Sequence, residues 1–193
     1  MLKLVLLLGV VAGCWAQEPK PCESPKQWEG VRLKRFENRD VFERARYTYD
    51  AVNTRIRETE LIEAGTEKTL YDVWHFYKEM KTYRLNTQTK TCNVSTPGHP
   101  FFEIGAPTGS KLMFESEIGA AQIPDEHLTI QNWYIKFSNG AEYDVTVSSP
   151  DCIPVGAYYR NGNLTEVERF FDIHPGIKNA TAAFTLPPEC TGL

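Results

Sequence analysis

The chain has 193 residues, five cysteines and a formal net charge of −4. Mild acidity with no basic block leaves nothing in the linear sequence to hold a nucleic acid. Nor does any apolar run reach the ~20 residues of a membrane-crossing helix, and no hydrophobic tail suggests a lipid anchor.

The first element is MLKLVLLLGVVAGCWAQ. Lys3 supplies a positive start, Leu4 to Gly13 form an apolar core, and Ala16 offers a small residue before Gln17. This pattern predicts a signal peptide over residues 1–16, because polar QEPKPCESPKQ follows where a core element would continue. The rest, 17–193, reads as one domain. With Cys14 removed, Cys22, Cys92, Cys152 and Cys190 remain. An even set in an exported chain predicts disulfides, and four cysteines allow three pairings. Three Asn-x-Ser/Thr triplets, at Asn93, Asn163 and Asn179, predict glycosylation.

Further along the chain the hydrophobic period is two. Val41 to Asp50 alternates, with Val41, Glu43, Ala45, Tyr47 and Tyr49 on one face. Leu70, Trp74 and Phe76 share one face of the next strong run, and Tyr71, Val73, His75 and Tyr77 the other. Both faces are largely apolar, which fits a strand covered on both sides or one that also lines a cavity. Residues 96–110 are rich in Pro and Gly and predict a loop, while Pro124 to Leu128 predict a single helical turn. His127 to Phe137 and Ala141 to Ser149 are strands joined through Asn139-Gly140, and Asn161-Gly162 marks another hairpin. Turns at Asp50 to Asn53 and at Glu79-Met80 add two more. The fold class is all-β, a sandwich or barrel rich in hairpins.

Catalytic signatures are missing from this pattern. His75, His99, His127 and His174 stand in no metal-binding spacing. GAPTGSK at Gly105 to Lys111 fails the phosphate-loop spacing, and there is no G-x-S-x-G elbow or calcium-binding EF-hand loop. Asp172 and His174, two apart in a strand, would share a face with no nucleophile beside them. The chain is read as a non-enzyme.

PCESPKQWEG, TYDAVNTRIR, the TKTC ending at Cys92, DCIPV at Asp151 to Val155, and RFFDIHPGIKN followed by PPEC resemble the ependymin and ependymin-related family in order and spacing. That resemblance implies two stacked, curved antiparallel sheets (a half-barrel) enclosing a hydrophobic pocket. It implies disulfides Cys22–Cys152 and Cys92–Cys190, and a secreted or lysosomal glycoprotein, homodimeric, that binds lipids or other amphipathic molecules. Calcium association and extracellular-matrix contacts belong to the same expectation, with no metal-binding residue identified. Arg169 to Cys190 becomes the closing strand and tail. Ligand contacts are expected among Tyr47, Tyr49, Trp74, Phe76, Trp133, Ile135 and Phe137. The alternative is a calcium-associated matrix or adhesion glycoprotein whose cavity is filled by its own side chains.

Overall fold

A computed structural model describes residues 18–193; the expected leader, with its cleavage point before Gln17, lies outside the described residues. Regular structure is almost entirely strand: β1 (Gln27–Phe36), β2 (Val41–Asp50), β3 (Arg55–Ala64), β4 (Glu67–Phe76), β5 (Lys81–Asn86) and β6 (Thr91–Ser95) form a first series. The second is β7 (Lys111–Gly119), β8 (His127–Lys136), β9 (Glu142–Ser148), β10 (Pro154–Asn161) and β11 (Leu164–Pro175). A short helix α1 (Ala180–Phe184) and a 3₁₀ turn (Pro188–Cys190) end the chain.

Each series is a meander of hairpins, because alternating β-branched and aromatic residues are broken by tight turns and short loops. Gly140 (φ 84°) and Gly162 (φ 59°) take the left-handed conformation that the β8–β9 and β10–β11 turns require. Pairing of Ile118 with Leu128 and of Gly119 with His127 extends β8 to His127. The single helical turn expected at Pro124 to Leu128 is therefore absent: 121–126 are irregular turns and 127–128 are strand.

The two meanders meet along one seam, where β1 pairs antiparallel with β11. All eleven strands thereby join one antiparallel sheet, ordered β6-β5-β4-β3-β2-β1-β11-β10-β9-β8-β7. The stacked arrangement expected from the resemblance takes the form of two arms of this continuous sheet, open between β6 and β7. Those edge strands are consecutive in sequence, joined by residues 96–110 alone. Laid flat, eleven strands would span roughly 48 Å, close to the ~50 Å that fifteen residues reach fully extended. A Pro- and Gly-rich loop does not run fully extended, so the sheet has to curl towards the face it crosses. We call that face inner.

At the seam the register slips between Glu29 and Val31. A Cβ on Gly30 would lie 2.9 Å from the Phe171 carbonyl oxygen, so the close approach needs glycine. Opposite it Asp172 adopts a positive φ of 50°. This bulge breaks the alternation on which Asp172 and His174 would share a face, and both side chains are exposed. The segment is a structural closure: the Gly176 N–H donates to the Gln27 carbonyl at 2.7 Å, and Cys190 bonds Cys92. The second disulfide joins Cys22 to Cys152, so the bridges are the pair the resemblance implied.

Candidate functional site

Register places Trp28, Tyr47, Tyr49, Ile56, Val73 and His75 on the inner face of the β1–β6 arm. Trp133, Ile135, Tyr143 and Val145 take the same face of the other arm. Trp28 packs against Tyr47, Tyr49 and Phe170, with ring centroids 5.2, 5.3 and 5.7 Å away. Trp133, Tyr143, Val145 and Val147 form a second buried cluster, with Ile135 and Phe137 packed against it.

Loop 96–110 lies over both clusters. Phe101 stacks on Tyr49 at 5.7 Å and meets Tyr77 edge-on at 5.1 Å. Its neighbour Phe102 meets Tyr143 at 5.0 Å and Phe137 at 6.3 Å. Tyr49 Oη accepts the Ile104 N–H at 3.1 Å, and the Ser24 and Ala106 amides tie the loop to the N-terminal segment. Two adjacent phenylalanines thus bridge the arms.

Between the aromatics and the hairpin tips the inner face turns ionic. The guanidinium of Arg32 contacts Glu58 at 2.8 Å, Glu168 at 3.0 Å and Glu43 at 3.5 Å, and lies 5.3 Å from the Tyr47 ring. Burial opposes its charge, but these carboxylates hold its pKa above the usual range. Burial is the largest influence on Glu58 and opposes its charge, but Arg32 together with His75, Lys34 and Arg84 outweighs it, so that carboxyl titrates low. Glu60 has the opposite balance. Burial, then the negative Glu58, push its pKa up to about 7 despite Arg84 at 3.0 Å. Burial depresses the pKa of His75. On this face the buried donors that find no acceptor among the described residues are Arg32 Nε, Arg84 Nε and the indole N–H groups of Trp28 and Trp133.

The seven candidate contacts divide between two faces. Tyr47, Tyr49, Trp133, Ile135 and Phe137 come together under loop 96–110. Trp74 and Phe76 point the other way, into a cluster with Tyr83, Leu85, Phe184 and Cys190. There the Trp74 indole N–H donates to the Ala183 carbonyl at 3.1 Å, and α1 with the Cys92–Cys190 bridge seals the strand. Val73 and Trp74 are both buried, so β4 is covered on both sides. One surface cleft of about 290 Å³ beside the β1–β2 hairpin includes none of the seven; another of about 200 Å³ includes Phe76. Sequence reasoning did not pick out Trp28, Phe101 or Phe102. Phe170 was read as a packing residue of the closing strand, and it is buried in the Trp28 cluster.

All three glycosylation triplets place their asparagines in the open, on β6, on the β10–β11 turn and before α1. Asn179 also caps α1, its Oδ1 accepting the Ala182 N–H at 3.0 Å. No group of three or more His, Cys, Asp or Glu among the described residues is placed to hold a metal ion.

Known proteins resemble this one in sequence and, for one solved structure, in fold. The ependymin family model matches residues 65–190. Mammalian ependymin-related protein 1 of Rattus norvegicus is 28% identical over 177 residues, covering 89% of this chain and 77% of its own. Ependymin-2 of Carassius auratus is 22% identical over 196 residues, covering 98% of this chain and 91% of its own. A solved structure, an uncharacterized conserved protein from Thermus thermophilus, superposes with a TM-score of 0.55 at 10% identity. It covers 86% of this chain and 88% of its own, a likeness of fold alone.

Proposed function

The chain belongs to the ependymin family, and from that premise we propose that it is an exported, non-catalytic glycoprotein that takes a lipid or other hydrophobic ligand on the inner sheet face. The observation that carries this reading is the cover of that face. Aromatic side chains from both arms are roofed by a single irregular loop, whose Phe101 and Phe102 occupy the space an apolar chain would fill. Displacing two rings asks less of the fold than opening a second packed sheet. Tyr47, Tyr49, Trp133, Ile135 and Phe137 then supply the apolar contacts, with burial contributing about 25 cal/mol per Å² before the cost of ordering the ligand. Trp28, Trp133 and Arg32 hold unused donors on this face, so a ligand with acceptor oxygens on an apolar body suits it. Trp74 and Phe76 act as core.

The two disulfides and three open triplets support export and glycosylation. A homodimer is part of this proposal, and the half-exposed Met113, Phe114 and Ile118 on the edge strand β7 support a pairing surface there.

Mass spectrometry of the protein from a eukaryotic secretion host, native and after organic extraction, tests the reading. A stoichiometric lipid or fatty acid is expected, with its retention reduced in Trp133→Ala but not in Phe76→Ala. A folded protein that arrives empty and ignores added fluorescent lipids would overturn it.

A further inference from the structure

The outer face of the seam carries a cluster of arginines. Arg169 on β11, Arg35 on β1, and Arg44 and Arg46 on β2 share this face and are all exposed. None of the four forms an ion pair among the described residues. Their directly opposed residues explain why. Arg44 stands between Leu33 and Leu61, and Arg46 between Val31 and Thr59. Arg35 stands between Val167 and Phe42, and Arg169 between Leu33 and Gly156. Opposed charges are the usual way a sheet settles such side chains, and here every opposed residue is neutral. Glu63, opposite Phe42, is held by Lys68 at 2.8 Å. The 290 Å³ cleft lies at one end of this array, walled by Arg35, Arg169, Leu33 and Phe42, with Asp40 as its one carboxylate.

We propose that the outer face of β11, β1 and β2 is a docking surface for a sulfated polysaccharide, gripped by Arg35, Arg44, Arg46 and Arg169. Charge complementarity carries the choice of a polyanion, since four uncompensated cations stand together on a chain of net charge −4. Strand geometry spaces their Cα atoms at roughly 7 Å along a strand and 10 Å across two, an array suited to a repeating polyanion rather than a single ion. All four are arginine. The planar guanidinium fork matches the oxygens of a sulfate as it does those of a phosphate, and it is more weakly hydrated than an ammonium. The apolar residues between them favour a sugar chain over a bilayer. Val31, Leu33, Val167 and Leu61 are only partly exposed and shorter than the arginines around them, so the guanidinium plane stands foremost. A membrane-docking face would bury its apolar side chains below that plane, several ångströms into the acyl boundary. Phe42 and Phe171, 39% and 45% exposed, offer ring faces beside the charges.

The surface is opposite the inner face, so the proposal stands whether or not a lipid is found there. Immobilised heparin serves as the probe, with the full secreted glycoprotein in solution at physiological salt. Saturable binding is expected that weakens steeply as salt rises, with little binding to unsulfated hyaluronan. Replacing all four arginines by glutamine should weaken binding about 100-fold, at roughly threefold per lost charge-assisted contact. Replacing exposed Lys20, Lys78, Lys90 and Lys111 by glutamine makes the same change in net charge and should alter affinity less than about twofold. If the fourfold arginine variant does not fold, the pairs Arg35→Gln/Arg169→Gln and Arg44→Gln/Arg46→Gln should each cost about tenfold. Absence of heparin binding by the folded protein would overturn the proposal, as would equal losses in the lysine control. Binding to phosphatidylserine vesicles without binding to heparin would assign the face to membranes and overturn it too.

Discussion

Arg32 and Arg44 stand on neighbouring strands of one sheet, on opposite faces, and meet opposite circumstances. Arg32 is buried and touches three carboxylates; Arg44 is exposed between two leucines. A buried guanidinium persists only when its charge and donors are answered, so Arg32 has collected acids from β2, β3 and β11. Water answers the charge of Arg44 and leaves it free to exchange solvent for another anion. Charge inside the curl therefore serves the architecture, and charge outside it serves recognition.

The largest expected effect tests the first half of that contrast. Arg32→Ala leaves Glu58 and its neighbours buried without a countercharge, and urea unfolding should show a loss of about 3–5 kcal/mol; a loss under about 1 kcal/mol would mean that the inner face is wetter than its burial indicates. Phe101→Ala removes the ring that stacks on Tyr49, and should cost about 2 kcal/mol by the same measurement because the side chain is only partly buried. Next comes Glu60. Its carboxyl is raised from 4.5 to about 7 in the folded chain, so the native state holds a proton that the unfolded state gives up. Stability from this group is full below the unfolded value and is lost as pH rises to about 7. His75, depressed by burial, works in the opposite sense below its ordinary 6.5. Glu60→Gln should accordingly flatten the decline between pH 5 and 8 and raise stability at pH 8 by about 1–2 kcal/mol. An unchanged profile would assign the proton elsewhere. The smallest effect belongs to the outer face: Arg44→Gln should shift the unfolding free energy by less than about 0.5 kcal/mol, and a larger shift would show that this arginine is structural.

Strands and turns were legible in the sequence because their signals are local. Val41 to Asp50 alternates over ten residues, and Asn139-Gly140 and Asn161-Gly162 mark their hairpins unaided. The disulfide pairs came from the resemblance, since four cysteines alone leave three possibilities. The two charge arrays were not legible. Arg32 meets Glu168 only through the β1–β11 seam, and Arg35, Arg44 and Arg169 form a patch only once three strands lie side by side. No basic block exists along the chain for them to announce. Trp74 and Phe76 were grouped with the inner aromatics because both faces of their strand are apolar, and nothing local says which of the two turns inward. The roof was hidden for another reason: loop 96–110 has no period, so nothing marked Phe101 as packing on one arm and Phe102 on the other.

The seam also sets an order of events during synthesis. Hairpins within each arm join sequence neighbours and form on the microsecond scale, whereas β1 must wait for β11, the last of the described strands to be synthesised. Until then β1 is an unpaired edge, with Val31, Leu33 and a row of free backbone donors and acceptors open to any passing strand. High contact order of this kind slows folding and lengthens exposure to misassembly. The arginines flanking those apolar positions put like charges on the waiting edge, and so repel a second nascent copy until the chain's own final strand arrives.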